Sequence, residues 1–125
     1  MRVSVLDASA LAALAFAEPS AEDVVAALGE SRIAAPALVW FEVANVCATK
    51  MRAHPDRRPA LRDAFALATT LPIDIVEVDP VAVVGLADET GLTAYDASYL
   101  WLARQLGARL VTLDRKLARA MEMGG

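Results

Sequence analysis

Residues 2–7 read RVSVLD and residues 109–114 read RLVTLD. Both are short, β-branched apolar runs that stop at a carboxylate, and a helix-forming stretch follows each at once. A run of this kind is a strand buried on both faces, as in a parallel sheet. Parallel strands need long crossovers, and between these two runs helical and strand-like segments alternate. That pattern confines the chain to an α/β fold with a mainly parallel central sheet.

The periodicity predicts strands at Val3–Leu6, Ile33–Ala35, Ile73–Val78 and Arg109–Thr112, with helices between them. A helix at Ala8–Phe16 is broken by Pro19. Ser20-Ala-Glu-Asp23 has capping-box spacing for a second helix that ends near Gly29. Pro36 stands where a first helical residue can stand, opening a helix over 37–51. Residues 52–59, RAHPDRRP, read as a polar loop before a helix at Ala60–Thr70. Asp79-Pro80 is a cap followed by a first-turn proline, for a helix to Thr90 that Gly91 ends. Thr93 caps the next helix, to Leu106, and Gly107 closes it. A last helix spans Arg115–Met123. No repeat, low-complexity tract or linker interrupts the pattern, so the expectation is one domain over 1–125.

The single cysteine, Cys47, allows no intrachain disulfide, which makes a reducing, cytoplasmic setting the expectation. MRVSVLDASALAALAFAEP has some marks of a signal peptide, but Asp7 interrupts its apolar stretch. No apolar run approaches the ~20 residues of a membrane helix. The net charge of −4 excludes a globally basic nucleic-acid binder. With 57% apolar residues there is enough to fill a core and leave apolar surface for a partner.

In a parallel sheet ligands bind outside the carboxyl ends of the strands, where strand order reverses. Asp7 and Asp114 both end strands, so neighbouring central strands bring them together. Two further acids belong there. Glu42 shares a helical face with Leu38, Val39, Val43 and Val46, and a charge on an apolar stripe needs a partner. Asp96 shares a face with Tyr99, Leu100 and Ala103. Taken singly, Asp7, Asp96 and Asp114 also read as helix caps; mid-helix Glu42 does not. Two carboxylates ~5 Å apart repel by roughly 3 kcal/mol at an effective dielectric of about 20. A cluster of four should therefore take up protons or a cation, and an all-oxygen set selects Mg²⁺ or Mn²⁺. The lone histidine, His54, lies in the polar loop, and the sequence has no Cys/His cluster of the kind zinc sites use. Ser9, Asn45 and Thr112 flank the acids as candidate orienting groups. Arg57 and Arg58, within the basic stretch 50–62, and Arg115 and Lys116, next to Asp114, are candidate phosphate contacts or ordinary solvated charges. Trp40, Phe41, Tyr95, Tyr99 and Trp101 have helical spacing and read as core, or as a surface for a partner.

VLDASAL, ALVWFEVANV and GLTAYDASYLWLARQLGARLVTLDRKL, in that order, resemble a PIN-domain ribonuclease of the VapC toxin type. The resemblance covers nearly the whole chain and rests on the ordered set D-x-S, helical E-x-x-N, Y-D-A and T-L-D. It implies a three-layer αβα sandwich around a sheet of four to five strands, with the first strand central beside the one preceding the last acid. It also implies a fifth, edge strand beyond the last helix, whereas the sequence ends at Gly125. Its function would be Mg²⁺- or Mn²⁺-dependent endoribonuclease, the toxin of a type II toxin–antitoxin module. Asp7, Glu42, Asp96 and Asp114 would be metal ligands and catalytic groups. RNA, a VapB-type antitoxin and a second copy of the chain would be its partners. Three other readings compete: a receiver-type signalling domain with an acidic Mg²⁺ pocket, a PIN-like module that only binds, and a metal phosphatase or DNA nuclease with the same carboxylates. A receiver's site wants paired acids after the first strand and a lysine after a late one, whereas Asp7 is followed here by Ala8 and Ser9 and Glu42 would have no role.

Overall fold

The computed structural model describes residues 2–124. Four parallel strands, β1 (Val3–Leu6), β2 (Arg32–Ala35), β3 (Ile73–Ile75) and β4 (Arg109–Val111), pair in the order β3-β2-β1-β4. Among the described residues seven helices connect and follow them: α1 (Ala8–Ala15), α2 (Ala21–Leu28), α3 (Leu38–Ala53), α4 (Arg58–Ala68), α5 (Pro80–Thr90), α6 (Ala94–Leu106) and α7 (Arg115–Met123). α1–α4 pack among themselves, as do α5–α7. Right-handed crossovers put two successive connections on one face of the sheet and the long return from β3 to β4 on the other. This is the expected α/β sandwich, with a sheet that is parallel throughout.

The chain leaves β1 toward β2, yet β4 is added on β1's opposite side. The switch point therefore lies between β1 and β4, whose register pairs Ser4 with Arg109, Val5 with Leu110 and Leu6 with Val111. Asp7 N–H continues the ladder to the Val111 carbonyl at 3.2 Å. One step further along that register Asp7 faces Thr112. Val5, Leu6, Leu11, Val39, Val43, Leu100 and Leu117, all fully buried, fill the layers on either side. Each contributes roughly 1.5–3 kcal/mol by leaving water. None of the described helices is long and apolar enough to cross a membrane.

Four local expectations need correction. Ser20 holds the N-cap position of α2 with helical backbone angles, φ −79° and ψ −4°, and its hydroxyl makes no cap bond. Pro36 stands ahead of the cap Ala37, and its carbonyl accepts the Val39 N–H at 3.0 Å, so α3 starts at Leu38. Residues 52–59 are not a loop: α3 continues to Ala53, a 3₁₀ turn spans Pro55–Arg57, and α4 begins at Arg58. Pro55 and Pro59 each lie in a first turn, where the missing N–H has no helical partner to lose. β3 ends at Ile75, short of the expected Val78, because it pairs only with β2 through Ala35. The helices from Asp79 and Thr93 match their expected bounds. Gly91 and Gly107 close them in the left-handed region, at φ 72° and 59°.

Candidate active site

Asp7 ends β1 with extended angles, φ −87° and ψ 174°, and caps α1. Its Oδ1 accepts from the Ser9 hydroxyl at 2.7 Å and from Ala10 N–H at 3.0 Å; its Oδ2 accepts from the Thr112 hydroxyl at 2.5 Å. Thr112 Oγ1 also accepts the Asp114 N–H at 3.0 Å, and Ser9 Oγ accepts the Leu113 N–H at 3.0 Å. Ser9 and Thr112 thus tie β1 to β4 across the switch point. Asp114 caps α7, its Oδ1 accepting from Lys116 N–H at 2.9 Å and Leu117 N–H at 3.1 Å. For Asp7 and Asp114 the cap and the site are one geometry: a carboxylate between a strand end and a helix start meets both the helix's unpaired N–H groups and the sheet's carboxyl edge.

Glu42 comes from the second turn of α3, below the buried Val39 and beside the buried Val43. The Tyr99 hydroxyl donates to its Oε1 at 2.5 Å, joining α6 to α3. Tyr99 is 1% exposed. Its spacing suggests a pure core residue; only its position three after Asp96, on the acid's face, signals a second role. Asp96 is the third residue of α6. Thr93 Oγ1 accepts its N–H at 3.1 Å, but no reciprocal bond from the Asp96 carboxylate is formed among the described residues. The Thr93 hydroxyl also lies close enough to the Asp96 carboxylate to favour its charged form, so the cap residue touches this acid without a full capping box.

All four acids line one cleft of about 660 Å³, together with Ser9, Asn45 and Tyr99. Thr112 acts from behind, through Asp7 and Asp114. Burial raises the pKa of Asp7 above the ordinary carboxylate value; the Thr112, Ala10 and Ser9 hydrogen bonds oppose this and the Asp114 charge adds to it. Burial also raises Glu42, against the Tyr99 hydrogen bond and with the charges of Asp96 and Asp7. Asp96 rises through burial and the Asp114 charge, partly offset by Lys116 and by the Thr93 side-chain hydrogen bond. The Tyr99 hydroxyl is pushed far up by burial and by Glu42, so it stays a donor.

The cleft's described lining carries four carboxylates and no lysine or arginine, an all-oxygen chemistry of the kind hard divalent cations take. Mg²⁺ or Mn²⁺ suits them chemically, although no three described Asp, Glu, His or Cys residues converge on a common ion as placed. The candidate phosphate contacts lie elsewhere. Arg57 and Arg58 are exposed at the α3–α4 turn and Arg115 is exposed on α7, none of them lining the cleft. Lys116 extends its Nζ to the Gly91 carbonyl at 3.0 Å. Trp40 and Trp101 pack against the core as expected, whereas Phe41 and Tyr95 are 78% and 65% exposed on the cleft's lining.

A family model described as the PIN domain matches residues 4–122. The curated protein Ribonuclease VapC3 of Pyrobaculum aerophilum is 31% identical over 119 residues, covering 91% of each chain. The crystal structure of PAE2754, also from Pyrobaculum aerophilum, superposes with a TM-score of 0.79 at 28% identity. That match covers 97% of this chain and 86% of the other.

Proposed function

The chain belongs to the PIN domain family, and from that premise we propose that it is a metal-dependent endoribonuclease that hydrolyses RNA phosphodiester bonds. One observation carries the reading: four carboxylates from four different segments of the chain meet in one cleft at the sheet's switch point. Family membership removes the receiver-type alternative. The ribonuclease relative supports RNA as the substrate.

Asp7, Glu42, Asp96 and Asp114 would hold Mg²⁺ or Mn²⁺. When bound, such an ion orients the phosphodiester, acidifies water and offsets charge on the leaving oxygen. The chain's own groups do the positioning. Ser9, Thr112 and the Ala10 N–H fix both Asp7 oxygens. Tyr99 fixes one oxygen of Glu42. Asp96 or Glu42 would position the attacking water. The N-termini of α1 and α7 direct partial positive charge toward the phosphate. Asn45, lining the cleft one turn after Glu42, adds an amide. Arg115 and Lys116 are the cations nearest in sequence to the acids and would meet flanking phosphates; Arg57 and Arg58 would do so only for a longer RNA.

In this reading the protein is a toxin acting in the cytoplasm, as a homodimer, restrained by a VapB-type antitoxin. The test is bacterial growth after induction of the wild type and of Asp96→Asn at matched protein levels. Arrest by the wild type alone supports the assignment. Equal arrest by both contradicts it, and arrest by neither favours a module that only binds.

A further inference from the structure

The cleft poses a problem for an RNA ligand. Its lining carries four carboxylates and no lysine or arginine, and the whole chain has a net charge of −4. The counterion-release term that dominates most RNA binding is therefore weak here. Another source of affinity is required, and the cleft lining holds one. Phe41 immediately precedes Glu42 on α3, and Tyr95 immediately precedes Asp96 on α6. Both rings are largely exposed, at 78% and 65%, although Val39 and Val43 beside the first and Ala97 beside the second are buried. The Tyr99–Glu42 hydrogen bond joins the two helices that carry them, and Tyr95 lies one turn before Tyr99. An aromatic ring thus stands next to an acid on each side of that contact.

We infer that Phe41 and Tyr95 are base-stacking residues that seat unpaired nucleotides flanking the phosphate held at the acids. Stacking needs no cation, tolerates any base, and requires bases free of a duplex, whose faces are otherwise covered. Phe41, with no polar group, gives a stacking face alone; the Tyr95 hydroxyl adds a donor at its edge. This inference rests on the nuclease reading and deepens it by naming what selects the substrate.

The test measures Mn²⁺-dependent cleavage of a short single-stranded RNA, and of the same RNA annealed to its complement. The proteins are the wild type, Phe41→Ala, Tyr95→Ala and the conservative Phe41→Trp and Tyr95→Phe. Expected are preference for the single strand, a KM raised roughly 5- to 150-fold by each alanine with kcat little changed, and near-normal KM in the conservative variants. Quenching of a 2-aminopurine beside the cleavage position, read in an Asp96→Asn background, should be lost when Phe41→Ala and Tyr95→Ala are added. Unchanged KM and quenching in the alanine variants, with cleavage intact, overturn the inference and leave the nuclease standing. A dimer lost by light scattering at unchanged KM assigns the rings to contact between copies and also overturns it. No RNA cleavage by the wild type overturns both.

Discussion

Both oxygens of Asp7 are engaged before any ligand arrives: Ser9, Thr112 and a main-chain N–H donate to a carboxyl that is 4% exposed. Such a group is held in place at the cost of desolvation, which raises its pKa along with those of Glu42 and Asp96. The sign of the consequence is fixed. The folded chain keeps these protons to higher pH than the unfolded chain does, so between the ordinary carboxylate values and the raised ones stability falls as pH rises. In EDTA the melting temperature should be higher at pH 5 than at pH 7, and Mn²⁺ at pH 7 should restore it through binding to the folded state. A metal-free melting temperature that climbs from pH 5 to pH 7 contradicts this. Asp7→Asn should flatten that pH dependence and abolish cleavage without unfolding the protein. Tyr99→Phe keeps the ring and deletes one donor. It should weaken Mn²⁺ binding, measured by calorimetry, by about 10- to 100-fold. In a Glu42→Gln background the same change should have little further effect; an equal loss there would place Tyr99's role outside Glu42. The sequence made Glu42 legible, because a mid-helix charge on an apolar face demands a partner. That partner was hidden, because a tyrosine three residues from an acid looks like any core aromatic until its hydroxyl is placed.

Among the elements, caps decide what each carboxylate can be asked to show. Asp79 accepts from Val81 and Ala82 N–H at 3.0 and 3.3 Å, outside the cleft lining. Asp79→Ala should cost about 1 kcal/mol of stability, read from denaturant unfolding, with cleavage per folded molecule unchanged. Asp114 is both a cap and a site residue, so alanine there would confound the two. Asp114→Asn retains a good cap while removing the charge, and should keep the melting temperature and lose activity. A loss of structure instead would make Asp114 chiefly a cap. The β1 end at Asp7, the glycine-closed helices and the Asp79 and Thr93 starts were legible because each carries a local chemical signal; the end of β3 was not, because it depends on how far β2 extends. The 52–59 segment was misread because its polar, proline-bearing composition describes a helix start as well as a loop. For Phe41 and Tyr95 the spacing left core and surface both open, because helical periodicity alone does not say which edge of an apolar stripe faces the cleft.

At the scale of the whole molecule, topology brings distant residues together. β1 lies between β2 and β4, so Asp7 and Asp114, the first and last of the four cleft acids, flank one switch point although 107 positions separate them. Parallel pairing then aims every strand's carboxyl end at that edge, and α3 and α6 add their acids from the two sides. This much followed from strand polarity and strand order. The sheet order itself was expected from the family resemblance rather than from the residues alone, since four short strands permit several arrangements. The central claim is that this shared cleft hydrolyses RNA with a divalent cation held by its carboxylates. The most direct measurement is cleavage of a single-stranded RNA by purified protein, comparing wild type with Asp96→Asn, in Mn²⁺ and in EDTA. The account predicts cleavage by the wild type in Mn²⁺ only, restored when Mn²⁺ is returned after chelation, and lowered by about 10²- to 10⁴-fold in the variant. Equal cleavage by the variant or in EDTA, or none by the folded wild type with Mn²⁺ present, would contradict it.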